Sequence, residues 1–248
     1  MDWDGASYDR LSGPQALWGR AVLKRLVLAG DETVLDAGCG TGRVTEELLG
    51  RLPHGRVVAL DASASMLAQA RARLEVLGRR VSFVRGDLLD LETTTLGGAA
   101  PVDAVLSTAT FHWVTDHDRL FAKLRAVMRT GAQLVAQCGG EGNLAGVIAA
   151  VRSVGADRAG TWLYASPDET AARLERAGFA DIEVWSNPEL VSFSAAGTLV
   201  DFLQTVCLRE HLGTLVPEER RPFTESVVAA MPEPVIDYVR LNIVARAA

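Results

Sequence analysis

Residues 33–42, TVLDAGCGTG, constrain the fold more than any other segment of the chain. A short apolar run ends at an acid, three glycines alternate with other residues, and TGRVTEELLGRL (41–52) follows with helical periodicity. Strand, glycine turn, helix is the arrangement that offers free backbone N–H groups and a helix N-terminus to a ligand. Glycine is required where φ is positive or where a side chain would block the ligand. Dinucleotides, flavins and other adenosine cofactors all use such a turn, so the spacing has to choose among them. The G-x-G-x-x-G fingerprint fails in both frames, because the sixth position is Arg43 counted from Gly38 and Thr45 counted from Gly40. A nicotinamide oxidoreductase is therefore disfavoured.

The turn opens a series. ETVLDAG (32–38), RVVALDAS (56–63), RVSFVRGD (80–87) and AQLVAQCGG (132–140) read as strands, and VDAVLSTATFHW (102–113) as a strand running into a loop. Between and before them, segments 13–28, 41–52, 63–78 and 116–131 carry apolar residues at helical spacing, the last two closed by Gly78 and Gly131. Continuous Val/Ala/Leu strands separated by helices predict a doubly wound α/β fold, a parallel sheet covered on both faces. The second half breaks the rhythm. SPDETAARLERAGF (166–179) is a well-capped helix and ADIEVWSN (180–187) a strand, whereas 192–232 reads as helices without a strand and VIDYVRLNIVARA (235–247) as a long final strand. We expect one domain over 1–248, with lid helices in 1–30 and a helical cap from inserts at 139–165 and 188–232.

Composition removes several function classes. The formal net charge of −6 gives no general attraction to nucleic acid or to an anionic membrane. The start, MDWDGASYDR, lacks the basic and apolar regions of a signal peptide, and no run approaches the length of a membrane span. Cys39, Cys138 and Cys207 are far apart and odd in number, which suggests neither a disulfide framework nor a thiolate zinc site. A cytoplasmic setting and a monomer or homodimer acting on a small molecule are the simplest expectations. No metal site is expected, since His112 and His117 are five positions apart and Asp116 and Asp118 read as helix caps.

The order acid-x-Gly-x-Gly-x-Gly from Asp36 to Gly42 resembles motif I of the class I S-adenosylmethionine-dependent methyltransferases. A carboxylate at Asp36 suits a ligand with a sulfonium and an ammonium group better than it suits a pyrophosphate. Asp61 ends the next strand about 20 residues on, where an acid can accept the ribose hydroxyls. Asp87 ends the third strand, beside Leu88, and resembles the residue that meets the adenine amino group. Three aspartates at the ends of successive strands suggest one shared ligand, with Ala62 and Met66 packing on its adenine and Gly38, Gly40 and Ser107 at its border. In the N-terminal segment, Tyr8, Gln15 and Trp18 are the expected contacts of a part that closes over the cofactor.

YDRLSGPQALWG, VLDAGCGTGRVTEELL, VVALDASASMLAQAR, FHWVTDHDRLFAKL and YVRLNIVARA together are similar to the trans-aconitate methyltransferase group. The resemblance implies a seven-stranded sheet with its last strand antiparallel, S-adenosylmethionine as cofactor, S-adenosylhomocysteine as product, and methylation of a small acid. The loop after the fourth strand lacks the Asn/Asp-Pro-Pro-aromatic motif of methyltransferases acting on DNA-base amines. It carries His112 and Trp113, the catalytic candidates: His112 as base or donor, Trp113 as an indole donor or a wall. A carboxylate acceptor needs no base, so Gln15, Trp18, Trp113 or cap arginines such as Arg152, Arg158 and Arg209 would orient it. A hydroxyl or carbon acceptor would make His112 the base. A non-methyl reaction such as cyclisation, or cofactor binding without chemistry, stays open at this level.

Overall fold

The computed structural model describes residues 3–11, 13–155 and 162–248. The N-terminal segment forms α1 (Gly5–Leu11) and α2 (Gly13–Leu23). The alternating core follows as β1 (Thr33–Ala37), α3 (Arg43–Gly50), β2 (Arg56–Asp61), α4 (Ala64–Leu74), β3 (Val81–Arg85), β4 (Val102–Thr108), α5 (His117–Ala126) and β5 (Met128–Gly139). The remainder is α6 (Ala145–Ser153), α7 (Pro167–Arg176), β6 (Phe179–Ser192), α8 (Ala196–Phe202), α9 (Arg209–Leu212), α10 (Pro217–Ala230) and β7 (Val235–Ala247).

The seven strands form one sheet in the order β3-β2-β1-β4-β5-β7-β6, with β7 antiparallel to both of its neighbours. The expected doubly wound sheet is present, and the order in which its parallel strands are added reverses between β1 and β4. Strand alternation divides the core. Val34, Val57 and Leu106 face α2, α3 and α4, whereas Leu35, Val58 and Val105 face Leu120, Phe121 and Leu124 of α5. Each such side chain, once buried, stabilises the fold by about 1.5–3 kcal/mol. A third cluster lies at one end, where α6, α8, α10 and the start of β7 pack around Leu199, Phe202, Val227 and Ile236, with Tyr8, Leu11 and Trp18 against them.

Three element bounds differ from expectation. The helix expected to run to residue 131 stops at Ala126, because Val127 and Met128 are buried beside the sheet and β5 begins there. Gly131, at φ 80°, lies in a bulge where β5 shifts register against β4 rather than at a helix end. β6 continues to Ser192 instead of 187, since its pairing with β7 persists to Ser192 opposite Val235; Pro188 is tolerated because β6 is an edge strand. The interval expected to start at 188 therefore starts after Ser192. Part of the 139–165 interval, residues 156–161 with Arg158, lies outside the described residues. Among the described residues no helix is long and apolar enough to cross a membrane.

Candidate active site

The carboxyl ends of β1 to β4 open into a cavity of about 630 Å³. Its floor is the glycine turn, where Gly38, Gly40 and Gly42 have φ of 83°, 54° and 81°. Gly38 is fixed by crowding as well as by φ: a Cβ there would lie 2.2 Å from Thr110 Oγ1. Gly40 is the opposite case, with nothing within 4 Å of where its Cβ would stand, so a side chain would enter the cavity. Asp61 braces the turn, accepting from the Gly40 N–H at 2.8 Å with one oxygen and from the Ser63 N–H at 2.8 Å with the other. Asp87 caps the short turn after β3 by accepting from Leu89 N–H at 2.9 Å.

Most of the residues expected at the cofactor meet here. Gly38, Gly40, Asp61, Ala62, Met66, Asp87 and Leu88 line the cavity together with Tyr8, Gln15, Trp113 and Arg209. Four candidates line neither this cavity nor the smaller recess beside it. Asp36 is buried behind the turn, where one oxygen accepts from the Thr45 hydroxyl at 2.6 Å and the other has no partner. Burial pushes its carboxyl up to about 7, and nearby Asp61 adds to the rise. Ser107 is also turned inward, its hydroxyl donating to the Ala37 carbonyl at 2.7 Å. Arg152 is exposed at the end of α6 and lines neither cavity, as a solvated helix-end cation would be. Trp18 packs edge-on against Tyr238 and forms no part of the cavity lining.

α1 is tied to the glycine turn by one carboxylate. Asp9 accepts from the Thr41 hydroxyl at 2.7 Å, Arg43 Nε at 2.8 Å and Arg73 Nη2 at 2.7 Å, while Arg43 also donates to the Asp9 carbonyl. Burial raises the Asp9 carboxyl, but Thr41, Arg43 and Arg73 outweigh it and hold the group below its usual range. The tie brings Trp3 and Tyr8 of the N-terminal segment onto the cavity wall.

Trp3, Tyr8, Gln15, Ala109 and Trp113 are shared with a second, smaller recess of about 40 Å³. His112 lines it. The Gly139 N–H donates to His112 Nδ1 at 3.3 Å, so this nitrogen carries a lone pair and the ring proton sits on Nε2. Burial, helped by the charge of Arg240, lowers the His112 pKa well below 6.5, which keeps the ring neutral. The ring stacks on Tyr164 (centroids 5.9 Å apart, 28° between planes), and Tyr164 stacks on Trp162 (5.7 Å, 17°).

Arg240, on β7, is the side chain that sequence reasoning missed. It is only 3% exposed. Its guanidinium lies 4.6 Å over the Trp18 ring and 5.9 Å over that of Tyr238, and its Nε donates to Gln137 Oε1 at 3.4 Å. Among the described residues no carboxylate pairs with it, and it is the one charged side chain that lines the recess. The sequence signal was weak, because the alternation Ile236, Tyr238, Arg240, Asn242, Val244, Arg246 mixes apolar and polar residues and does not single Arg240 out as buried. Trp18, expected to touch substrate directly, instead supports this guanidinium from behind.

Residues 34–131 match the family described as a methyltransferase domain. The chain is 30% identical over 244 residues to a trans-aconitate 2-methyltransferase of Methylobacterium radiotolerans, covering 93% of this chain and 89% of the relative. It is 28% identical over 242 residues to a trans-aconitate 2-methyltransferase of an Azoarcus species, covering 92% and 89%. Among solved structures, phosphoethanolamine N-methyltransferase 2 of Haemonchus contortus, in complex with S-adenosyl-L-methionine, shares the fold with a TM-score of 0.64 at 17% identity, over 98% of this chain and 57% of that one.

Proposed function

The chain belongs to the class I S-adenosylmethionine-dependent methyltransferases, and on that premise we propose that it methylates a carboxylate oxygen of a small organic acid. The observation that carries this reading is Arg240, a buried guanidinium facing a recess, with no acid among the described residues to pair with it. Burying a charge without a partner is costly, so the position makes physical sense when an incoming anion completes it.

The residues of the larger cavity fit the cofactor. The open face of Gly40 leaves space that any side chain would fill, and Asp61 and Asp87 are the acids for the ribose and the adenine amino group. Gly38 and Gly40 let the backbone approach the ligand, Met66, Ala62 and Leu88 give it an apolar bed, and Asp36 and Ser107 hold the turn from behind. S-adenosylmethionine supplies an electrophilic methyl carbon and leaves as S-adenosylhomocysteine.

The remaining work falls to the chain itself. Arg240 orients the acid by its carboxylate, and Gln15, on the wall shared by both cavities, offers its amide beside it. His112 presents Nε2–H as a neutral donor. It is not the base of the reaction, because its other nitrogen is taken by Gly139 N–H and its affinity for protons is depressed. A carboxylate is already ionised at neutral pH and needs none. Trp113, Trp3 and the helices of the third cluster close over the site as a cap and exclude water, leaving alignment as the main source of rate.

The test is a mass-spectrometric assay of purified protein with S-adenosylmethionine and a panel containing trans-aconitate, other organic acids, and alcohols and amines of matched skeleton. The reading predicts methylated acids whose label is lost in mild alkali, as for esters. Alkali-stable methylation of the alcohols or amines alone would overturn it.

A further inference from the structure

Resting on the carboxylate reading above, we infer that the acceptor is a monocarboxylic acid with a flat, apolar, conjugated or aromatic body, not a tricarboxylate. Two observations support this independently. The first is charge. Arg240 is the one cation among the described residues lining the recess, and no acid lines it. A single guanidinium neutralises a single carboxylate. Second and third carboxylates would be taken from water into the recess with no second cation opposite them among the described residues. Three further arginines, Arg43, Arg85 and Arg209, lie on the wall of the larger cavity and none of them lines the recess; Arg43 is paired with Asp9, Arg85 donates to the Ala62 carbonyl, and Arg209 lies over the Trp3 ring at 4.8 Å and 3.9 Å from Glu210.

The second observation is the wall itself. The chain has three tyrosines and five tryptophans, and all three tyrosines and three of the tryptophans line this one recess. They come from distant parts of the sequence, Trp3 and Tyr8 at one end and Tyr238 at the other, so the clustering is a product of the fold and not of one local segment. Trp162, Tyr164 and His112 are arranged as a near-parallel stack, and Trp113 stands edge-on to Trp162 at 6.0 Å and 67°. Rings set this way offer faces and edges to a further ring or conjugated plane. Their faces, as distinct from their hydroxyl and N–H groups, offer no strong hydrogen bonds to a body rich in hydroxyl or carboxyl groups.

The chemistry balances without further reactants. One carboxylate oxygen forms the new bond to the methyl carbon, the S–CH₃ bond breaks with its electron pair staying on sulfur, and no proton moves. The product ester is neutral, so it has lost the charge that held the acid at Arg240, which favours release.

The experiment titrates the protein loaded with S-adenosylhomocysteine against benzoate, cinnamate, cyclohexanecarboxylate and trans-aconitate in a calorimeter, and assays the same acids for ester with S-adenosylmethionine. The expected result is binding of benzoate and cinnamate about tenfold tighter than cyclohexanecarboxylate, with trans-aconitate weakest. In Trp162→Leu the gap between benzoate and cyclohexanecarboxylate should shrink to about twofold while both still bind. Tighter binding or faster esterification of trans-aconitate overturns the inference and leaves carboxyl methylation standing. Equal binding of the flat and the saturated ring overturns it likewise. If no acid binds or is esterified while the cofactor does bind, the carboxylate reading itself has failed.

Discussion

The two cavities that meet at Trp113 are built on opposite plans. The larger one is assembled almost in sequence order from the ends of β1 to β4, and its walls are backbone turns and strand-end acids that form hydrogen bonds within the same region. The smaller one draws single side chains from residues 3 to 240, and its one charged member, Arg240, is buried with no carboxylate beside it among the described residues. Asp61 is braced by two backbone N–H groups; Arg240 meets Gln137 and two rings but, among the described residues, no carboxylate. The contrast teaches that a common cofactor can be held by a geometry the chain makes for itself, while a particular acceptor is held by groups the fold leaves incomplete.

Removing Arg240 gives the largest expected effect. Arg240→Met should cut ester formation about a thousandfold, while cofactor affinity measured by calorimetry changes by less than about twofold. The same variant should melt at a temperature equal to or above that of the parent, because replacing an unpaired buried charge by an apolar chain of similar length is often neutral or stabilising. Loss of stability together with activity would break the contrast and return Arg240 to a structural role. Gly40→Val attacks the other cavity. Its φ of 54° disfavours a branched residue and its side chain would stand in the cofactor space, so affinity for S-adenosylmethionine should fall about a hundredfold.

A smaller effect is expected where the two cavities share a wall. Asp9→Asn loosens the tie between α1 and the glycine turn, and because this carboxylate is partly exposed the cofactor dissociation constant should rise only about fivefold. Fluorescence of Trp3 and Trp113, which stand edge-on at 5.4 Å, would report the loosening directly. The smallest effect is an absence of one. His112 is neutral and takes up a proton only well below pH 6.5, so it should add no step of its own to kcat/KM between about pH 6 and pH 9, and any step near pH 7 belongs to the Asp36 carboxyl and persists in His112→Ala. A rise through the ordinary histidine range that His112→Ala abolishes would make His112 a base and turn the reading towards a hydroxyl acceptor.

What could be read from the sequence follows the same division. The turn, the order of strands and helices, and Asp61 and Asp87 all lie in local patterns of a few residues, and the antiparallel final strand came with the family resemblance. Orientation was harder. Asp36 was identifiable as a member of the turn, but Thr45, nine residues later, decides that it points away from the cavity. Arg152 drew attention as a cation in the expected cap, yet nothing in its own segment revealed that its helix presents it to solvent. Arg240 sat inside a segment that already marked the resemblance, and only its burial among Trp18, Tyr238 and Gln137, up to 222 residues away in the chain, distinguishes it from a surface charge. Long-range packing carries that information.

The most direct measurement is a crystal structure with S-adenosylhomocysteine and the acid that is esterified most readily. The account predicts the acid's carboxylate within hydrogen-bond distance of the Arg240 guanidinium, with one oxygen turned towards the cofactor's sulfur. An acid bound with its carboxylate elsewhere, and Arg240 still stacked on Trp18 without an anion, would contradict it.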